Sequence, residues 1–145
     1  PSTPNIEELA VRAASYVDAF VAINSVGPAL DFDIETPRAT LGSNNSFGWL
    51  SGPAIRPIAL RIVAQIASVQ PKPVIGVGGI ASGADAIQFF MAGASLVQVC
   101  TAAILKGASV YGAIAGEIDT WLEKHDYSST EDIRGLFLKN LKQGK

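Results

Sequence analysis

The fold of this chain is decided by the stretch Val74-Ile75-Gly76-Val77-Gly78-Gly79-Ile80-Ala81-Ser82-Gly83. The stretch consists of a short apolar strand, a pair of glycines and the first residues of a helix. A second apolar strand, residues 96–99, follows about twenty residues later and ends at Cys100 and Thr101. Two strands joined by so short a crossover are neighbours in a parallel sheet. Because both end in small residues, their backbone N–H groups are open to an anion, toward which the following helix directs its positive end.

The pattern of apolar strands and intervening helices predicts an α/β fold. The strands are continuous apolar runs, which is typical of parallel strands with both faces covered. In a (β/α)8 barrel, or TIM barrel, a cofactor phosphate usually binds at the loops after the last two strands, and a whole barrel needs about 250 residues. This chain has 145 residues. We therefore predict that residues 1–145 form a single domain: the C-terminal part of such a barrel, about its last three strands, with a long loop insertion at 26–50.

Start and stop signals locate the predicted helices. Thr3 is the predicted N-cap of the first helix, and Ser82 with Asp85 and Ser129 with Asp132 form predicted capping boxes. The predicted elements are, in order, a helix over 4–17, a strand over 19–23, a helix over 55–66, the strand at 74–77, a helix over 83–93, the strand at 96–99, a helix over 102–121 that breaks near Gly107, and one terminal helix that begins after Ser129.

Composition and charge exclude several classes of protein. With 11 Lys and Arg against 13 Asp and Glu, the net charge is −2, which gives no attraction to nucleic acid or to an anionic membrane. One cysteine and one histidine supply neither an internal disulfide nor a Cys/His metal site. No apolar run approaches the ~20 residues of a membrane-spanning helix, and no leader segment is recognisable. We therefore expect a soluble, cytoplasmic protein without a metal.

The long segment at 26–49 follows a strand end, so we expect it on the same side as the double glycine. Residues 29–32 and 38–41 are predicted to pair as a small hairpin. Because loops at this end of a barrel build its site, we favour a cover over a bound ligand rather than a functionless insertion. Asn24 and Ser25, which precede the segment, have two interpretations. They either hold a polar planar substrate or satisfy local backbone groups in a turn.

Four motifs carry a family resemblance. They are Ala22-Ile23-Asn24-Ser25, Leu50-Ser51-Gly52-Pro53-Ala54-Ile55-Arg56-Pro57, Val77-Gly78-Gly79-Ile80 and Gly93-Ala94-Ser95-Leu96-Val97-Gln98-Val99. Together they closely resemble the soluble dihydroorotate dehydrogenases, and also the flavin domain of dihydropyrimidine dehydrogenase. The similarity continues in order through Arg134-Gly135 and so covers nearly the whole chain. The double glycine is shared by many phosphate-binding barrels, whereas the Asn-Ser element combined with Ser-Gly-Pro-Ala-Ile-Arg-Pro is far more specific.

The resemblance implies an FMN enzyme that oxidises dihydroorotate to orotate in pyrimidine biosynthesis, or a flavin domain like that of dihydropyrimidine dehydrogenase. In this family a base removes a proton from C5 of the substrate while a hydride passes from C6 to the flavin. The substrate-binding residues implied by position are Asn24 and Ser25, with Ser25 between substrate and flavin. The implied cofactor-binding residues are Ile23, Ser25, Ser51, Gly52, Gly78, Gly79, Cys100 and Thr101. Many soluble members have glycine in place of Ser51 and Cys100, and a cysteine at the second position resembles dihydropyrimidine dehydrogenase.

The resemblance places no catalytic base among these residues. The family's base, a Cys or Ser on a loop, and the lysine that supports the reduced flavin are both expected upstream of this chain. Cys100 is expected to be a small, buried and inert side chain. His125 is expected to be exposed to solvent. Arg56 and Arg61 are expected to form surface salt bridges worth under about 1 kcal/mol each, and Trp49 is expected to pack against neighbouring residues.

Three barrel strands alone leave two sheet edges and an inner apolar face uncovered, which favours association. We expect these surfaces to be covered by the missing N-terminal half of the barrel or by another copy of the protein, and hence an oligomer. Three functions remain open: part of a dehydrogenase that binds a pyrimidine, a phosphate-binding module without chemistry of its own, and a purely structural half-barrel. The electron acceptor (fumarate, NAD or a partner subunit) also stays open.

Overall fold

The structure, a computed structural model, describes residues 5–41 and 47–143. Thr3, the predicted first N-cap, lies outside the described residues. The strands are β1 Phe20–Ala22, β2 Val26–Ala29, β3 Phe32–Asp33, β4 Arg38–Ala39, β5 Gly48–Leu50, β6 Val74–Val77 and β7 Leu96–Gln98. The helices are α1 Ile6–Ala13, α2 Arg56–Val69, α3 Gly83–Met91, α4 Thr101–Lys106, α5 Ser109–Lys124, α6 Thr130–Ile133 and α7 Leu136–Gln143, and a 3-10 turn at Pro53–Ile55 leads into α2.

Three of the strands form a parallel sheet in the order β1–β6–β7. Val21 pairs with Ile75, and Ile75 pairs with Leu96 on its other side. Helix α2 lies in the crossover from β1 to β6, and α3 lies in the crossover from β6 to β7. The predicted α/β class and its three apolar strands are confirmed, with β6 at its predicted bounds and the other two slightly shorter.

The two faces of this sheet have different surroundings. On one face Phe89 of α3 packs over Gly76, where an added β-carbon would lie 2.5 Å from the Phe89 ring. Side chains alternate between faces along a strand, so neighbouring strand positions point the other way. Val21 and Leu96 occupy that opposite face and are 60% and 61% exposed. Helices therefore cover the sheet on one side only, as expected for a few strands of a barrel.

Glycines and capping residues set most of the helix ends. Gly107, with φ of +81°, ends α4 and separates it from α5, which confirms the predicted break. The capping box of Ser129 and Asp132 is also confirmed. The single predicted terminal helix is wrong, because the backbone extends at Arg134 and turns at Gly135, with φ of +73°. The chain therefore forms two helices here, α6 and α7.

The segment between β1 and α2 contains two short antiparallel pairs. β3 pairs with β4, with Phe32 opposite Ala39, which confirms the predicted hairpin with shorter strands. β2 pairs with β5, a pairing that the sequence did not predict. The Trp49 ring lies against Gly27, where a β-carbon would be 2.9 Å away, yet Trp49 is 59% exposed. The expected packing of Trp49 is therefore confirmed for one side of the ring.

Candidate functional site

The residues that follow β5, β6 and β7 meet at one place. We call them the strand-end cluster: Ser51, Gly52, Gly78, Gly79, Cys100 and Thr101. The Thr101 hydroxyl donates a hydrogen bond to the Ser51 hydroxyl at 3.2 Å. A β-carbon on Gly52 would lie 3.2 Å from the Thr101 methyl carbon. The turn after β5 and the start of α4 are thus in direct contact.

The double glycine closes the cluster from the third side. A β-carbon on Gly79 would lie 2.5 Å from the Gly52 carbonyl oxygen and 3.0 Å from Cβ of Arg56. A β-carbon on Gly78 would lie 2.7 Å from that of Ala59. Both glycines have positive φ, +135° for Gly78 and +79° for Gly79, which L side chains rarely adopt. Only glycine therefore fits the close approach of this loop to its neighbours.

The cluster presents main-chain donors without protein acceptors. Across residues 5–41 and 47–143, no protein group accepts a hydrogen bond from the amides of Gly78, Gly79, Cys100 or Thr101. Backbone N–H groups need a partner, so these four donate to water or to a ligand. Main-chain amides that lie together at a strand end and have no protein acceptor can form an anion-binding concavity. The sequence predicts a phosphate ligand at this place, and that assignment stays a prediction.

Helix α3 does not contribute its N-terminus to this donor set. The Ser82 hydroxyl accepts from the Asp85 amide at 3.3 Å, and the Gly83 amide donates to the Glu117 carboxylate at 2.5 Å. The predicted capping box is only half formed, because the Asp85 carboxylate accepts from the Ala81 amide at 3.0 Å and not from Ser82. The expectation that α3 directs its positive end at an anion is therefore wrong. Glu117, from a distant part of the chain, already occupies that end.

Arg56 differs from the predicted surface salt bridge. Its guanidinium forms an ion pair with Asp85, with side chains that are 33% and 11% exposed. A pair with one largely buried member is screened less by water than an exposed pair. The pair links the first residue of α2 to the first turn of α3 and lies behind the double-glycine loop. Arg61 contacts Gln65 at 2.7 Å on the exposed face of α2 and forms no ion pair within the described ranges.

Asn24 and Ser25 lie just beyond the end of β1. The Asn24 side-chain oxygen accepts from the Ser25 amide at 2.7 Å and from the Ser25 hydroxyl at 3.3 Å. These bonds are the local turn that the sequence allowed as one interpretation. Asn24 is exposed, and its side-chain NH₂ donates to no group in the described part of the protein. The side chain is therefore oriented by Ser25 and keeps two donors for a ligand. The observed geometry is thus compatible with both interpretations, a local turn and a contact with a polar substrate.

Ile23 and Cys100 differ in their exposure to solvent. Ile23 is buried, and a β-carbon on Gly78 would lie 3.4 Å from its Cγ1 atom. It therefore supports the loop from below. Cys100 was expected to be buried, and this is wrong, because the residue is exposed. It follows β7, an edge strand whose outer side has no neighbour among the described strands.

His125 is exposed, as expected, but it also packs. Its ring stacks on Trp121 with centroids 4.0 Å apart, and Nδ1 lies 2.8 Å from the Trp121 carbonyl oxygen. It is the C-cap residue of α5, outside the strand-end cluster. Within the described residues, no group of three or more His, Cys, Asp or Glu side chains could hold a metal ion. No helix in the same residues is long and apolar enough to cross a membrane.

Comparison with known proteins identifies relatives over almost all of the sequence. The family model described as Dihydroorotate dehydrogenase matches residues 2–122. A protein from Pyrococcus abyssi (strain GE5 / Orsay) named "Dihydroorotate dehydrogenase B (NAD(+)), catalytic subunit" is 44% identical over 140 residues, which are 96% of this chain and 46% of that protein. A protein of the same name from Thermoplasma acidophilum is 38% identical over 139 residues, 96% of this chain and 45% of that protein. The chain thus spans about half the length of the curated relatives it matches.

Solved structures support the same fold. The ligand-free type of the dihydroorotate dehydrogenase from Eimeria tenella superposes with a TM-score of 0.76 at 24% identity, covering 94% of this chain and 37% of that one. The same enzyme in complex with ferulenol superposes with a TM-score of 0.73 over 90% of this chain. At this identity the similarity concerns the fold alone. The prediction of part of a (β/α)8 barrel is confirmed, and so is the family resemblance.

Proposed function

Because this chain belongs to the dihydroorotate dehydrogenase family, we propose that it supplies the FMN-phosphate site and part of the pyrimidine site of an enzyme that oxidises dihydroorotate to orotate. The observation that carries the proposal is the strand-end cluster, where three chain segments converge and four amides have no acceptor among the residues that the structure describes. A nucleotide phosphate is the ligand that such a donor set at the end of a barrel usually binds.

The residues present fit FMN. The amides of Gly78, Gly79, Cys100 and Thr101 would hold the phosphate, and the paired hydroxyls of Ser51 and Thr101 add donors that can rotate toward it. Gly52 would lie along the ribityl chain, and Ile23 and Ser25 beside the flavin. When bound, FMN accepts a hydride from the substrate. The part of this chain is to fix the phosphate, and hence the whole cofactor, at the open end of the sheet.

The pyrimidine site is proposed to use Asn24 and Ser25. The two bonds from Ser25 fix the orientation of the Asn24 oxygen, so the Asn24 NH₂ group points in a defined direction without reorganisation on binding. A pyrimidine ring carries carbonyl oxygens that accept such donors. Ser25 keeps its own hydroxyl oxygen as an acceptor. We assign no catalytic base in this chain, and we propose that the base and the lysine near the flavin come from other barrel strands.

The names of the relatives bear on the electron acceptor and on partners. Those proteins are catalytic subunits of a type that uses NAD(+). We propose that this protein is likewise a catalytic subunit in the cytoplasm that passes electrons toward NAD through a second subunit, and this choice is favoured over fumarate. A dihydropyrimidine dehydrogenase-like function is less well supported, because the relatives reported above carry the dihydroorotate name.

The uncovered sheet face calls for further barrel strands. Val21 and Leu96 expose apolar side chains on the face opposite the helices, and β1 and β7 are the edges of the described sheet. An apolar face flanked by two open edges is unfavourable in water. We propose that the remaining strands of the barrel cover it, from the rest of the same protein or from another copy.

The test is flavin binding and turnover by the complete enzyme, in which this chain is joined to the remaining strands of the barrel. We expect the purified protein to show the visible spectrum of bound FMN, which dihydroorotate bleaches under anaerobic conditions. Asn24→Ala should lower kcat/KM for dihydroorotate by about tenfold to a hundredfold, the effect of losing one hydrogen bond in a buried site, with FMN affinity unchanged. The matched control is Asn140→Ala on the exposed surface of α7. Bound FMN without turnover would leave only a phosphate-binding module, and the absence of flavin would refute the proposal.

A further inference from the structure

The double-glycine loop is held in place from outside the strand-end cluster by one carboxylate. Asp85 is 8% exposed, and its two oxygens have different partners. One oxygen accepts from the Ala81 amide at 3.0 Å, and the other pairs with the Arg56 guanidinium. The Asp85 amide in turn donates to the Ser82 hydroxyl. The residues that immediately follow the loop are thus fixed by side-chain bonds.

Arg56 contacts the loop with its main chain as well as through Asp85. A β-carbon on Gly79 would lie 3.0 Å from Cβ and 3.1 Å from the amide nitrogen of Arg56. The same position is 2.5 Å from the carbonyl oxygen of Gly52, four residues earlier in the turn before α2. Arg56 therefore packs against the double glycine next to the point where the Gly52 turn meets it.

We propose that Arg56 and Asp85 are positioning residues that hold the Gly78 and Gly79 amides in the geometry that binds the FMN phosphate. This inference rests on the proposed function, because it concerns the same phosphate. The ion pair does not touch the ligand. It holds the start of α2 against the end of the loop, so that the amides are already in place when the phosphate arrives. Preorganised donors bind more tightly because no ordering is left to be done on binding.

A purely structural role would have a different signature. If the pair only held α2 against α3, its loss would weaken every property of the fold, including binding of all parts of the flavin. A positioning role concerns the phosphate alone. Riboflavin has the ring and ribityl chain of FMN but no phosphate, so the ratio of the riboflavin and FMN dissociation constants isolates the phosphate contribution. That ratio falls only when the phosphate donors lose their arrangement.

The experiment measures both dissociation constants with the apo form of the full chain, from the quenching of flavin fluorescence. Arg56→Gln and Asp85→Asn are each expected to lower the riboflavin/FMN ratio by about tenfold, and riboflavin affinity alone should change by less than about threefold. The double variant should lose no more than the worse single variant, because both residues act through one pair. Arg134→Gln is the matched control. It removes the exposed ion pair with Glu131 and a hydrogen bond to Ser95, which precedes β7 rather than following it, and it should leave the ratio unchanged.

The outcomes separate the two proposals. If the wild-type protein binds FMN no better than riboflavin, the proposed phosphate site is refuted. If the wild type discriminates but both variants keep its ratio, the positioning role is refuted and the phosphate site stands. Should Arg56→Gln or Asp85→Asn fail to fold, Asp85→Glu keeps the charge and shifts the carboxylate by one methylene. It should still lower the ratio, and an unchanged ratio in that variant refutes the positioning role.

Discussion

Replacing Gly79 with alanine tests whether the close approach of the double-glycine loop is required. At φ of +79° an alanine adopts a left-handed conformation, which costs about 1–2 kcal/mol. The new β-carbon would also lie 2.5 Å from the Gly52 carbonyl oxygen and 3.1 Å from the Arg56 nitrogen. Both are main-chain atoms that move only together with their turn. Overpacking of this kind causes a further loss of about 1–3 kcal/mol. We expect a total loss of about 2–5 kcal/mol in the free energy of unfolding.

Gly107→Ala is the matched control for this substitution. Gly107 has nearly the same φ, +81°, but no atom lies within 4 Å of the position of an added β-carbon. Its ψ of 176° puts it in a region that is essentially restricted to glycine, so it should lose only the conformational part, about 1–3 kcal/mol. Urea unfolding of both apo variants gives the stability difference, and FMN titration gives the effect on binding. We expect Gly79→Ala to weaken FMN binding at least about tenfold and Gly107→Ala to leave it unchanged. Equal stability losses, or full FMN affinity in Gly79→Ala, would refute the reasoning.

Three further substitutions test other parts of the structure. Thr101→Val removes a hydroxyl but keeps the shape of the side chain, and it should weaken FMN binding by about tenfold. The control Thr120→Val on α5 should leave FMN binding unchanged, and equal FMN titrations of the two variants would contradict the role of Thr101. Phe89→Ala should destabilise the protein by about 3–5 kcal/mol in urea unfolding, because Phe89 is fully buried over Gly76; a loss under about 1 kcal/mol would mean that this contact is not formed. Val21→Asp places a charge on the uncovered sheet face, and size-exclusion chromatography with light scattering should show loss of the assembled or compact form. An unchanged elution profile would show that nothing covers this face.

The parallel sheet was predictable because its strands are unbroken apolar runs at one-crossover spacing. The β2–β5 pairing was not, because β2 contains Gly27 and Pro28, which normally argue against a strand. Its partner lies about twenty residues further along the chain and is only three residues long. Nothing in local sequence specifies a pairing between two such short segments. The break at Gly135 had a clearer signal in the sequence, since a glycine shortly after a capping box commonly marks the end of a short helix.

The candidate site also combines features that the sequence predicted with features that it did not. Positive φ angles and close main-chain contacts require glycine or other small residues, so the double glycine and its small neighbours could be recognised directly from the sequence. Side-chain partners could not, because they come from distant elements. Ser82 and Asp85 have the spacing of a capping box, but the Asp85 carboxylate is drawn to Arg56 of another helix and to the Ala81 amide. Likewise the exposure of Cys100 depends on β7 being an edge of the described sheet, which residue type does not reveal.

Phosphate binding and catalysis place different demands on this part of the barrel. The strand-end cluster is complete within residues 51–101: its three segments contact one another, and the Arg56–Asp85 pair that braces it lies in the same range. The covered face of the sheet, with Phe89 over Gly76, supports the cluster from below. Asn24 by contrast lies at the end of β1, at the open edge, and among residues 5–41 and 47–143 its side-chain donors have no hydrogen-bond acceptor. Selectivity for FMN over riboflavin should therefore depend on this segment, whereas substrate affinity and turnover should also depend on the strands that cover the open face.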